Sequence, residues 1–133
     1  MLDQWEEMIF RVSFNPGARR LVLIFFWVCI LAHIVGCGWY FIASFSTTSL
    51  VAPNSWVSNY FDGIRTREVN QFTLYLTSLY WSITTLTSVG FGDVVAISNT
   101  ERAYALIVMI IGASIFGYII GNMSTLVANL NQV

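Results

Sequence analysis

Thr85–Val94 reads TLTSVGFGDV and lies between two apolar runs, 19–44 and 103–130, each long enough to cross a bilayer. Nothing else in the chain restricts its fold as much. An unpaired carbonyl in hydrocarbon costs several kcal/mol, so non-helical backbone at membrane depth must be buried in protein or line a water-filled path. Gly90 and Gly92 occupy alternate positions, where glycine reaches dihedrals closed to other residues and lets successive carbonyls turn the same way. A row of carbonyls facing an axis is a cation site. Taken alone, G-F-G also fits an ordinary turn between two hydrophobic helices.

The composition belongs in a membrane. Hydrophobic residues make up 56% of the 133 and charged residues only 10%, too oily for a soluble domain of this size. Six arginines, no lysine and seven acids leave a net charge near zero, which argues against a nucleic-acid partner. Cys29 and Cys37 sit in an apolar helix as small hydrophobes, and neither spacing nor context suggests a disulfide or metal site. The acidic N-terminus does not read as a secretory signal. Because no nucleophile, base or metal cluster lies at workable spacing, an enzyme is not expected.

Ser88-Val89-Gly90-Phe91-Gly92-Asp93 resembles the selectivity filter of potassium channels, in the S-V-G-F-G form of the ether-a-go-go branch of voltage-gated channels. LYWSITTLTS (Leu79–Ser88) and IIGNMSTLV (Ile119–Val127) are also similar to plant inward rectifiers and the cyclic-nucleotide-gated superfamily. The resemblance covers nearly the whole chain. It implies an all-α membrane protein with two transmembrane helices and a re-entrant pore helix and filter loop, assembled as a homotetrameric pore.

In order along the chain, residues 1–17 read as an interfacial linker helix. Leu2, Trp5, Met8, Ile9 and Val12 form an apolar stripe too short to span, and Asn15-Pro16-Gly17 ends it. Residues 18–133 are the expected pore domain, beginning with an outer helix over 19–44. Trp39 and Tyr40 suit an interfacial aromatic belt, and His33, near mid-span, is expected to be a neutral, hydrogen-bonded packing residue. Residues 45–70, with Pro53, Gly63, Arg65, Arg67 and Glu68, form a turret loop long enough to conceal a short helix around 56–61 or a mobile part. A pore helix over 71–87 is too short and hydroxyl-rich to span. Its C-terminal end carries about half an elementary negative charge, favourable to a cation. The filter over 88–93 and an inner helix over 101–130 complete the chain, with Gly117-x-x-x-Gly121 matching the close-packing pattern of membrane helices.

Carried onto this sequence, the resemblance implies that carbonyls of Ser88, Val89, Gly90 and Phe91, with the Ser88 hydroxyl and Gly92, replace water around K⁺. No other cofactor is implied. Asp93 stands at the outer mouth, as a carboxylate ring or as a partner of Tyr80 or Trp81. Tyr80, Trp81, Thr84 and Thr87 support the filter, the two aromatics as a rigid cuff. Phe91 lacks the hydroxyl of the commoner filter tyrosine, so a brace from Trp81 is impossible and a more deformable filter is expected. Gly112 is the expected inner-helix hinge, with Phe116 and Ile120 on the same face lining the cavity.

Charge does not orient the chain: Arg11, Arg19 and Arg20 balance Arg65, Arg67 and Arg102. In the resembling family the filter is outermost, implying a plasma-membrane protein with both termini cytoplasmic. No arginine-repeat helix occurs, and the resemblance implies a longer parent with voltage-sensor and cytoplasmic regulatory domains. The alternatives are a non-selective cation pore of the cyclic-nucleotide-gated type and a non-conducting membrane assembly subunit.

Overall fold

The computed structural model describes residues 2–14, 16–45, 54–62 and 69–131. Pro53, Gly63, Arg65, Arg67 and Glu68 of the expected turret lie outside them. The described chain is all-helical: α1 (Leu2–Phe14), α2 (Pro16–Phe45), α3 (Trp56–Tyr60), α4 (Gln71–Leu86) and α5 (Asn99–Leu130). The helices α2 and α5 are long and apolar enough to cross a membrane. Only 17% of each apolar window is buried inside the chain, so most of that surface must meet lipid or other protein, unlike a soluble core helix.

The helix boundaries follow local chemistry. Pro16 opens α2 rather than merely ending α1, because at the first helical position its missing N–H is an orphan in any case and its fixed φ suits the helix. The sequence reading started this helix three residues later, at Arg19. In α3, Ser55 caps the helix by accepting from Ser58 N–H, and Asn70 does the same for α4 through Phe72 N–H.

One compact unit comprises Leu31–Phe116. On α2 it buries Ala32, Val35, Gly36, Trp39 and Ala43, a stripe at three- and four-residue spacing. Leu74, Ser78, Trp81, Ser82 and Leu86 form the buried face of α4. Small residues on α2 permit close approach: a Cβ at Gly38 would collide with the Tyr104 hydroxyl, and one at Gly36 would touch Leu79 backbone at 3.4 Å. Two hydroxyls then reach α2 carbonyls, Ser82 donating to Ala32 O at 2.9 Å and Tyr104 to Val35 O at 2.8 Å.

At the centre lies an aromatic stack. Trp39 faces Trp81 at 3.7 Å between ring centroids and 4° between planes, and lies 5.8 Å from Trp56. Trp39 is 0% exposed, which corrects its expected place in an interfacial belt: stacking on two further indoles outweighs the preference of its N–H for the headgroup region. Tyr40, beside it, is exposed. His33 accordingly has neighbours, with Nδ1 2.8 Å from the Tyr75 hydroxyl on α4 and Nε2 3.7 Å from Cys37 Sγ.

The other unit comprises Met1–Ile30 with Gly117–Val133. Its helix α1 leaves Trp5, Met8, Ile9 and Phe10 at least half exposed.

Candidate functional site

The helix α4 ends in a turn that converts helix into the non-helical segment 88–93. Ser88 N–H donates to Thr85 O at 3.2 Å and Val89 N–H to Thr84 O at 2.9 Å. This pair of bonds is the Schellman arrangement, which requires a left-handed residue just beyond the cap. That residue is Ser88, at φ +61°, in a position where glycine is usual and a side chain costs about 1 kcal/mol. Gly90 N–H also donates to Thr84 O, at 3.1 Å. One threonine carbonyl therefore anchors two amides of the segment.

Beyond the turn the handedness alternates. Ser88, Gly90 and Gly92 have φ of +61°, +54° and +79°, whereas Val89 and Phe91 are not among the positive-φ residues. In an extended strand of uniform handedness successive residues face opposite sides; reversing φ at every second residue is how a chain turns successive carbonyls toward one side. Among the described residues none donates a hydrogen bond to a carbonyl of 88–92. All of Ser88–Asp93 is exposed, and a Cβ added at Gly90 or Gly92 would meet nothing within 4 Å. The segment is held at its base and open along its length.

Tyr80 is an α4 side chain that reaches this segment. Its ring lies parallel to Phe91 at 6.3 Å and 3°, and its hydroxyl feels the Asp93 carboxylate. Loss of solvation, then the nearby Asp93 carboxylate, hold the phenol above its ordinary pKa. Trp81 does not join Tyr80 in a cuff around Phe91. It is buried against Trp39, with Tyr104 6.4 Å away, because residues adjacent on a helix point about 100° apart. Thr84 and Thr87 turn their hydroxyls back onto Trp81 O (3.0 Å) and Ile83 O (2.7 Å). What Thr84 offers the segment 88–93 is its carbonyl.

Gly112 meets the base of this assembly. A Cβ there would lie 2.8 Å from Leu86 Cα and 3.1 Å from the Thr85 and Leu86 carbonyl oxygens, so α5 rests directly on the last turn of α4. Backbone cannot step aside as a flexible side chain can. Gly112→Ala is therefore expected to destabilise the protein by about 1–3 kcal/mol, the usual cost of overpacking. Gly117→Ala, which meets nothing within 4 Å in the chain, should leave stability unchanged or raise it by up to about 1 kcal/mol through helix propensity. Thermal unfolding of both variants in nanodiscs checks the contrast. Phe116 and Ile120 are exposed further along α5.

Sequence reasoning missed Glu101. It is 0% exposed, yet its carboxylate accepts from Trp56 N–H at 3.0 Å, Ile97 N–H at 2.8 Å and Ser98 N–H at 3.1 Å. Glu101 N–H in turn donates to Ser98 Oγ at 3.2 Å. This reciprocal capping box opens α5 and was legible as S-x-x-E. Its third arm, to α3, had no local signal.

Comparison with known proteins agrees with this geometry. Residues 20–129 match the family model described as "Ion channel". The chain is 32% identical over 122 residues to the voltage-gated inwardly rectifying potassium channel KCNH2 of Sus scrofa, covering 86% of this chain and 10% of that protein. It is 33% identical over 135 residues to the potassium channel AKT1 of Oryza sativa subsp. indica, covering 97% of this chain and 14% of the relative. The chain thus spans a small fraction of the relatives it matches, which are longer proteins. With two apolar helices of spanning length flanking an uncovered segment of alternating handedness, the chain is an integral membrane protein that belongs to the ion-channel family.

Proposed function

We propose that the protein is the pore of a potassium-selective channel, in which carbonyls of Ser88, Val89, Gly90 and Phe91 and the Ser88 hydroxyl strip and replace the hydration shell of K⁺. The observation that carries this reading is the alternation of φ at 88, 90 and 92 on a segment open along its length. One chain cannot encircle an ion with one such segment, and closure by four copies fits the strip of apolar α4 side chains left exposed, including Phe72, Leu76 and Ile83. The potassium channels among its relatives support K⁺ as the permeant ion.

In this reading Asp93 serves both roles open to it. Its carboxylate, within electrostatic reach of the Tyr80 hydroxyl, steadies the loop beyond Gly92, and its exposed charge raises the local cation concentration at the mouth. Gly112 is the hinge of the inner helix, and because it touches Thr85 and Leu86, bending there also loads the filter's base. Phe116 and Ile120 line the cavity below. The filter faces outward, both termini are cytoplasmic, and α1 lies at the inner interface of the plasma membrane, where a parent chain would attach its voltage sensor and regulatory domains. Reversal potentials of the reconstituted protein in opposed K⁺ and Na⁺ solutions test the reading. Strong K⁺ preference is expected, and equal permeabilities would overturn it.

Phe91 stacks on Tyr80 but makes no hydrogen bond through its ring. Phe91→Tyr adds a hydroxyl that can find a donor or acceptor in the assembled filter, at about 1 kcal/mol per subunit. The expected result is slower loss of current during sustained opening, read from its decay time. An unchanged or faster decay would count against a filter softened by this phenylalanine.

A further inference from the structure

We infer that His33 and Cys37 form a chelating pair for a thiophilic divalent cation such as Zn²⁺ or Cd²⁺. The two residues stand four apart on α2, which puts their side chains on one face of the helix, one above the other. His33 Nε2 lies 3.7 Å from Cys37 Sγ. A tetrahedral zinc ion, with Zn–N of about 2.05 Å and Zn–S of about 2.3 Å, holds two such donors roughly 3.6 Å apart. The pair is already spaced as the ion would space it.

The other ring nitrogen fixes the imidazole. Nδ1 lies 2.8 Å from the Tyr75 hydroxyl on α4, and the two rings stand 5.7 Å apart between centroids. A ligating histidine almost always has its second nitrogen tied in this way, which selects its tautomer and orientation. With Nδ1–H donating to the Tyr75 oxygen, the Nε2 lone pair is free to face Sγ. The Cys37 thiol gives up its proton to solvent as the metal–sulfur bond forms, so the thiolate cancels one of the ion's two charges. Both side chains are exposed on the single chain, which leaves room for the ion and for further ligands. Among the described residues no group of three or more His, Cys, Asp or Glu could hold a metal. Water or another exogenous ligand must therefore complete the shell, and the cation is exchangeable, unlike one in a closed four-ligand structural site. The pair lies toward the turret end of α2, about two turns before Phe45. All three residues belong to the Leu31–Phe116 unit, and the inference is independent of which ion the pore conducts.

The chain has one histidine and two cysteines, so its soft donors can be assigned one at a time. The test titrates Cd²⁺ into the reduced full chain in phosphatidylcholine nanodiscs and follows the ultraviolet thiolate-to-cadmium charge-transfer absorption. A saturable band is expected, abolished by Cys37→Ser and retained by Cys29→Ser. Tyr75→Phe should raise the half-saturating Cd²⁺ concentration about tenfold, the low end for loss of an outer-shell partner, and His33→Gln should raise it further. A band lost in Cys29→Ser but kept in Cys37→Ser would overturn the inference, as would an unchanged half-saturation in His33→Gln. Should a variant fail to fold, nitrogen NMR of the isotope-labelled wild-type chain decides. The Nε2 resonance of the single histidine should move on saturation with Cd²⁺, and an unmoved resonance overturns the inference.

Discussion

Glu101→Ala releases α3 from the start of α5 and destabilises the protein by roughly 2–5 kcal/mol, since it leaves one buried and two partly buried N–H donors unsatisfied, at about 1–3 kcal/mol for the buried one and less for the others. Those donors belong to Trp56, Ile97 and Ser98. The last two are the ordinary needs of a helix N-terminus. The first holds a five-residue helix that could not persist by itself, because so short a helix does not repay its nucleation. Glu101→Gln keeps one acceptor oxygen but turns an amide NH₂ toward remaining donors, so its cost falls between wild type and alanine. Hydrogen exchange separates this from general loosening: the Trp56, Ile97 and Ser98 amides should exchange faster, while Val89 and Gly90, anchored on Thr84 O, should be unchanged. Slow exchange at Trp56 in Glu101→Ala would refute the role of the carboxylate as a tether.

Trp39→Ala costs about 3–5 kcal/mol, as removal of a fully buried large aromatic does. It opens a cavity in the middle of the stack with Trp56 and Trp81. The more informative variant is Trp39→Phe. The buried Trp39 Nε1 has no hydrogen-bond partner among the described residues, and a desolvated, unpaired donor costs about 1–3 kcal/mol. Phenylalanine loses part of the stacking area but removes that orphan, so the two effects offset and the net change is within about 1 kcal/mol. The bond from Trp56 Nε1 to Trp39 O, at 3.1 Å, survives because its acceptor is backbone. Chemical unfolding followed by the fluorescence of the remaining tryptophans measures both variants. A Trp39→Phe loss as large as that of alanine would mean that Nε1 does make a bond in the membrane-embedded protein.

Much of the fold was written locally. Two long apolar runs, a short hydroxyl-rich helix between them and a glycine-spaced segment after it can be read from residue order, since hydropathy and backbone freedom are properties of single residues and near neighbours. The segment 88–93 was recognisable for that reason. Tertiary structure alone decided which side chains serve it. Tyr80 and Trp81 are adjacent and both aromatic, yet one stacks on Phe91 and the other on Trp39, because helix rotation sends them to different neighbours and sequence does not say who those neighbours are. Likewise the fit of Gly112 on the α4 backbone and the reach of Glu101 to Trp56 depend on contacts between residues far apart in the chain. Such contacts have no signature in residue order, because they form only when separate helices are brought to within a few ångströms of one another.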